Sequence, residues 1–134
     1  MLRFFEKHKT GLVYFPLTIY WLLLLTLTSL PGKDLPDIKI SDKIEHGLAF
    51  WGLAVLLKLT LVLQNKFQKL KEHSSIFTLL IVGVYAALDE LHQLFIPGRD
   101  CDILDWTADF SGALIAVLVI GFLIKYFSTE PARE

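Results

Sequence analysis

Three clusters of ionisable residues stand out in a chain otherwise poor in charge. Asp42-Lys43 is followed one turn on by His46; Asp89-Glu90 is followed by His92 and Gln93; and Arg99 opens a stretch that holds Asp100, Asp102, Asp105 and Asp109. Such groups support three kinds of chemistry. Carboxylates with differently shifted proton affinities divide acid and base roles, which makes Glu90, Asp89, His46 and Asp105 the catalytic candidates. Oxygen ligands joined by one or two imidazoles suit a hard or borderline divalent metal, with His46, Glu90 and Asp105 leading a pool that includes Asp42, Asp89, His92 and Asp109. In the third, Lys43 and Arg99 hold an anionic group while acids hold amines or hydroxyls. The ligand-binding set is then Asp42, Lys43, His46, Asp89, Glu90, Gln93, Arg99, Asp105 and Asp109. No HExxH, GxSxG or comparable signature accompanies them, so no reaction is specified.

Plainer roles compete at each position. Asp89 or Glu90 against Arg99 makes a structural ion pair that closes a loop, Asp105 suits the positive end of a helix dipole, and His46 can bond back to Asp42. Lys43 serves equally as a solvated interface anchor. Asp34, Asp37, Lys39, Asp100 and Asp102 read as solvated loop charges, and Trp21, Trp51 and Trp106 as packing or interfacial groups.

The elements that must position these residues are set by composition. In 134 residues, 54% are hydrophobic and 20% charged, with a mean hydropathy of +0.53. That is too apolar for a water-soluble domain of this size and allows a single domain. Four hydrophobic stretches, about 11–30, 46–63, 75–94 and 104–126, have the length that crosses a hydrocarbon core, so the fold expected is an all-α bundle of four transmembrane helices. Arg3, Lys7 and Lys9 ahead of the first stretch resemble a signal peptide, but the stretch is long and no small-x-small site follows, so it is kept as a span. Pro16 is tolerable there. Ser41, Asp42 and Glu45 form a capping signal that starts the second helix near Lys43. Lys58 lies near enough to the far end of that helix to snorkel. Residues 65–72 read as a polar, basic loop, Pro97 to Asp100 as a turn, and Gly112 and Gly121 as sites for close helix packing. At about 100° per residue, Asp89, His92, Gln93 and Tyr85 share a face with Glu90 at its margin, and Asp105, Asp109 and Gly112 share a stripe. Buried charge in lipid must find partners, so the stripes are expected to converge on a polar pocket.

Alternating spans put both termini and the middle loop on one side. That side carries nine Lys and Arg against four on the other, Lys33, Lys39, Lys43 and Arg99. The positive-inside rule then makes the termini cytoplasmic and the acidic end external. A net charge of −1 without a basic, aromatic-interleaved stretch argues against nucleic acid as a partner. Cys101, the only cysteine, permits no internal disulfide and reads as an inert thiol.

The motif spacing resembles the VanZ-like family of small bacterial membrane proteins, named for a member associated with reduced teicoplanin sensitivity. The resemblance runs from about Ser41 to Gly112. A D-K-x-x-H-x-x-x-F element is present as Asp42, Lys43, His46 and Phe50. A longer one resembling D-E-x-x-Q-x-x-x-P-G-R, then D-x-x-x-N-x-x-G, is present as Asp89, Glu90, Gln93, Pro97, Gly98, Arg99, Asp105 and Gly112, with Asp109 where the family pattern has asparagine. The resemblance implies a multi-pass protein of the bacterial cytoplasmic membrane, in contact with the lipid bilayer and tied to the cell envelope and antibiotic resistance. It transfers no reaction. The leading functional expectation is a binding protein whose outer pocket engages a lipid headgroup or cell-wall precursor. The alternatives are a membrane-embedded hydrolase or transferase, an ion- or proton-coupled transporter that needs a homo-oligomer to form its pathway, and a structural accessory subunit. A divalent metal is the one cofactor these residues suggest.

Overall fold

A sequence that is 54% hydrophobic and only 20% charged leaves the chain little choice but helix, since lipid offers no partner to an unpaired backbone amide. The computed structural model describes residues 2–34 and 41–129; the loop charges Asp37 and Lys39 and the terminal Glu130, Arg133 and Glu134 lie outside them. A short helix α1 (Leu2–Lys7) leads into the first long helix, whose opening turns, Thr10–Tyr14, are π-helical and whose remainder is α2 (Phe15–Thr28). Pro16 explains the irregularity: it lacks an N–H and its ring crowds the carbonyl four residues back. The wider turn lets the Phe15 amide reach Thr10 O instead. The second long helix, α3 (Asp42–Leu63), has Ser41 at its N-cap position, but the Ser41 hydroxyl makes no capping bond; the Ile44 and Glu45 amides go to the Ser41 carbonyl at 2.8 and 3.1 Å. Between α3 and the third long helix, the stretch read as a loop contains one helical turn and a half, α4 (Gln68–Glu72). Then come α5 (Ser74–Gln93) and α6 (Ile103–Thr129).

Among the described residues, four helices are long and apolar enough to cross a membrane: Thr10–Thr28, Asp42–Leu63, Ser74–Gln93 and Ile103–Phe127. Their apolar surface faces outward. On α5 the i, i+4 row Ile76, Leu80, Val84 and Leu88 is more than half exposed, as are Ile115, Leu118 and Phe122 on α6. A water-soluble monomer would hide such a band. The interior is held by Leu17, Leu24, Phe50, Leu53, Leu57, Val82 and Ala86, with Ala113 and Ala116 keeping α6 close. α3 and α6 form the most extensive contact, and α2 packs at the periphery.

Bonds across the bundle fix which ends meet. Lys9 donates to Leu63 O at 3.1 Å and Asn65 to Glu6 at 3.2 Å, which ties the N-terminal segment to the α3–α4 turn. At the opposite end the Gly32 amide donates to Pro97 O at 3.1 Å, and Ser29 Oγ bonds His92 Nε2 at 3.1 Å. Gly32 and Gly98 are obligatory there: Gly98 has φ of +74°, and a Cβ on Gly32 would lie 2.3 Å from Gly98 O. Lys58 does not snorkel. It is 3% exposed and donates to Ser75 Oγ at 2.6 Å, bridging α3 to α5 near the terminal end.

Candidate functional site

The end of the bundle opposite the termini gathers the three sequence clusters. α3 brings Asp42, Lys43 and His46 on its first turn and a half, α5 brings Asp89, Glu90 and Gln93 on its last, and α6 brings Asp105 and Asp109 on its first two. What allows the approach is glycine: Gly112 on α6 lies against Gly47 on α3, where a Cβ would stand 2.0 Å from Gly47 O. Gly121 has no such role, since a Cβ there would meet only Lys58 Cε at 4.0 Å.

Asp89, Glu90 and Gln93 are 3%, 3% and 2% exposed, Asp105 is 5% and Asp109 is fully buried. Glu90, expected at the margin of the inward face of α5, is as deeply buried as Asp89. His92 turns aside to Ser29. The displaced face follows from packing, because the inward row of α5 runs through Val82 and Ala86 and continues to Asp89, Glu90 and Gln93. The carboxylates are thus enclosed between helices rather than lining an open vestibule.

His46 is the hub. Its Nδ1 lies 3.0 Å from Asp109 Oδ1 and 4.0 Å from Glu90 Oε1, and its Nε2 lies 4.0 Å from Asp42 Oδ1. Lys43 is engaged by carboxylates rather than free as an anchor: it pairs with Asp105, with Asp102 at 2.6 Å and with Asp42 at 3.8 Å. Arg99 makes none of the ion pairs that the sequence suggested. Its Nε donates to Gln93 Oε1 at 3.2 Å, and Gln93 in turn donates to Asp89 Oδ2 at 3.3 Å. The reason is the tight Pro97–Gly98 turn, which leaves Arg99 over the last residue of α5 while Glu90 accepts the Asp102 amide at 2.8 Å.

Asp102 is the residue that sequence reading missed. Its side chain accepts the Leu104 amide at 2.8 Å and its carbonyl accepts the Asp105 amide at 3.0 Å, so it caps α6 while pairing with Lys43. The Lys43 ammonium, and after it the Leu104 amide, hold the Asp102 carboxyl below the usual carboxylate range. An acid three residues ahead of a second acid at the start of an apolar run is a helix-start pattern, and that was the available signal. Asp42 and Asp100 are exposed. Phe50 is 2% exposed with its ring 5.7 Å from that of Tyr85, and Trp106 Nε1 donates to Gly83 O at 3.1 Å while its ring stacks on Phe110.

Beside the buried cluster, α3 and α6 leave a groove of about 530 Å³, lined by Ile44, Gly47, Leu48, Trp51, Ala108, Ser111, Gly112 and Ile115 and bounded by Lys43. It is apolar along its length and charged at one end.

Helices with apolar exteriors around a buried knot of acids define a multi-pass helical membrane protein. Residues 7–125 match the VanZ/LLP1 family, and the chain belongs to that family. The match extends well beyond the motif-bearing stretch, taking in all four long helices. No curated protein and no solved structure matches the chain.

Proposed function

We propose that this VanZ-family chain is a binding protein of the bacterial cell envelope that holds an amphiphile, a membrane lipid or a lipid-linked cell-wall precursor, in the groove between α3 and α6. The observation that carries the reading is the groove's polarity pattern. Ile44, Leu48, Trp51 and Ile115 suit an acyl or prenyl chain, and Lys43 at its charged end, with the Asp102 carboxylate paired to it, suits a headgroup that carries phosphate beside amines or hydroxyls. Residence in the bacterial cytoplasmic membrane with both termini cytoplasmic puts that end at the outer leaflet, where envelope precursors are consumed and glycopeptides act. The altered teicoplanin sensitivity for which the family is named fits a protein that sequesters or presents such a ligand.

Two measurements test this. Ile115 is 55% exposed, so Ile115→Trp fills the groove without disturbing the core. It is expected to fold like wild type, to lose lipid that co-purifies in native mass spectrometry, and to abolish the change in glycopeptide sensitivity that the wild-type chain confers on a deletion strain. A variant that keeps both lipid and phenotype would remove the groove from the function. For orientation, in a Cys101→Ser background a cysteine at Gln68 is expected to be shielded from an impermeant thiol reagent in intact cells and one at Asp34 to react; labelling at Gln68 would reverse the topology.

A further inference from the structure

We propose that Glu90, His46 and Asp109 form a binding site for one divalent metal ion of the zinc or manganese class, separate from the lipid groove and independent of whether that groove holds lipid.

The argument starts from charge. Four carboxylates, those of Asp89, Glu90, Asp105 and Asp109, are each at most 5% exposed at one end of a membrane bundle. Lys43 neutralises Asp105 by direct contact, and Asp89 is bonded by Gln93. Arg99 spends its Nε on Gln93. Glu90 and Asp109 are left facing His46. A buried carboxylate without a cation is among the most costly groups a membrane protein can carry, so these two must be neutralised by protons, on themselves or on His46, or by a metal cation.

Unused ligand atoms point to the cation. Glu90 Oε1 and Asp109 Oδ2 are buried and have no hydrogen-bond partner among the described residues. One ligand atom each from His46, Glu90 and Asp109 falls within a sphere where all lie less than 4.8 Å apart. Glu90 is also held from behind. Glu90 Oε2 accepts the Asp102 amide at 2.8 Å, whereas the far ring nitrogen of His46 lies 4.0 Å from the exposed Asp42 Oδ1, beyond hydrogen-bond distance. A proton shared by His46 and Asp109 accounts for their 3.0 Å contact but leaves Glu90 Oε1 and Asp109 Oδ2 without a partner among the described residues. One nitrogen and two carboxylates suit a borderline first-row divalent ion better than calcium, which prefers six or more oxygens. A metal held here would displace the proton shared between His46 Nδ1 and Asp109 Oδ1, which would leave to solvent.

A second trio, Asp42, His46 and Asp105, also has ligand atoms within 4.8 Å of one another, but it carries the argument less far. Asp105 is already paired with Lys43, and the Asp42 side chain is 68% exposed.

The test uses the full chain in detergent, purified without a polyhistidine tag and stripped with a chelator. Zinc chloride and manganese chloride are the titrants, and cobalt chloride supplies a spectroscopic signature. Wild type is expected to bind about one equivalent, to melt at higher temperature when loaded, and to give cobalt d–d bands shifted and intensified relative to the aqua ion. Glu90→Gln and Asp109→Asn, both near in size to the native residue, are expected to weaken binding by tenfold or more, on the order seen when a metal site loses a supporting group. Asp42→Asn should leave the affinity near that of wild type. Less than about a tenth of an equivalent on wild type with millimolar zinc and manganese and no thermal shift would overturn the proposal, whatever the variants do. So would equal affinity in wild type, Glu90→Gln and Asp109→Asn. Loss confined to Asp42→Asn would also overturn it, by moving the ion to the other trio.

Discussion

Gly112→Ala is expected to destabilise the protein by roughly 1–3 kcal/mol, while Gly121→Ala, nine residues along the same helix, is neutral or stabilising. The two substitutions gain the same helix propensity, up to about 1 kcal/mol, so packing decides the sign. At Gly112 the added methyl would stand 2.0 Å from Gly47 O and 2.8 Å from Gly47 C. Both are backbone atoms of another helix, and no side-chain rotation relieves the overlap; α3 and α6 must separate along their most extensive contact. At Gly121 the nearest atom is Lys58 Cε at 4.0 Å, an ordinary contact. Gly47→Ala should fall between, because its Cβ would meet Ala108 O at 3.4 Å. The consequences reach the site, since Gly112 follows Asp109 by one turn and Asp105 by two. Moving α6 outward draws Asp109 from His46 and Asp105 from Lys43 together. Thermal melts of the three variants in one detergent check the order. Equal midpoints for Gly112→Ala and Gly121→Ala would show that close helix approach does not hold this end of the bundle.

The same glycines show what could be read before a structure. Four spans followed from apolar length alone, since the lipid-crossing requirement is nearly one-dimensional. The gathering of charges at one end followed from chain reversal: clusters at the start of α3, the end of α5 and the start of α6 must fall together in an antiparallel bundle. What resisted reading was the partner of each charge. Arg99 looked like the cation for Glu90 because both flank one turn, yet the turn's geometry gives it to Gln93. Lys43 looked like an anchor because it begins a helix at the membrane boundary, yet it reaches across to α6. Pairing between helices depends on the rotation of each about its own axis, and a short polar segment within an apolar helix does not fix that rotation to better than a residue. His92, expected on the inward face, turns to Ser29 for this reason, and Glu90, expected at the margin, is fully enclosed. Lys58 was misplaced because hydropathy reports only distance along the helix, whereas its burial depends on Ser75 across the interface. The π-helical turn ahead of Pro16 was foreseeable as an irregularity but not as a kind.

Lys43→Met is expected to be the most damaging single change to the site, in both stability and activity, and a second substitution should separate the two effects. Lys43 contacts three carboxylates that differ in access to water. Asp42 and Asp102 are 68% and 38% exposed at the side chain and can turn to solvent when the ammonium is removed; Asp105, at 8%, cannot. The loss is therefore mainly that of one buried anion left without a counter-charge, a situation far worse than removing both members of the pair. Adding Asp105→Leu to Lys43→Met removes the stranded charge and offers an apolar side chain of similar length beside Trp106, so more than half of the lost thermal midpoint should return. Arg99→Ala makes a useful contrast. Arg99 is only half-buried and bonds to a neutral amide, so its loss should cost little. Activity should follow a different pattern from stability. Lys43 bounds the α3–α6 groove and, in the envelope-binding reading, meets the ligand's headgroup. The double variant should then be folded, stable and without effect on glycopeptide sensitivity, whereas a purely structural pair predicts that activity returns with the fold. Melting curves and sensitivity measured on the same three variants distinguish these outcomes. A stable double variant with full activity would leave Lys43 and Asp105 as a structural clamp and take the headgroup site away from this end of the groove.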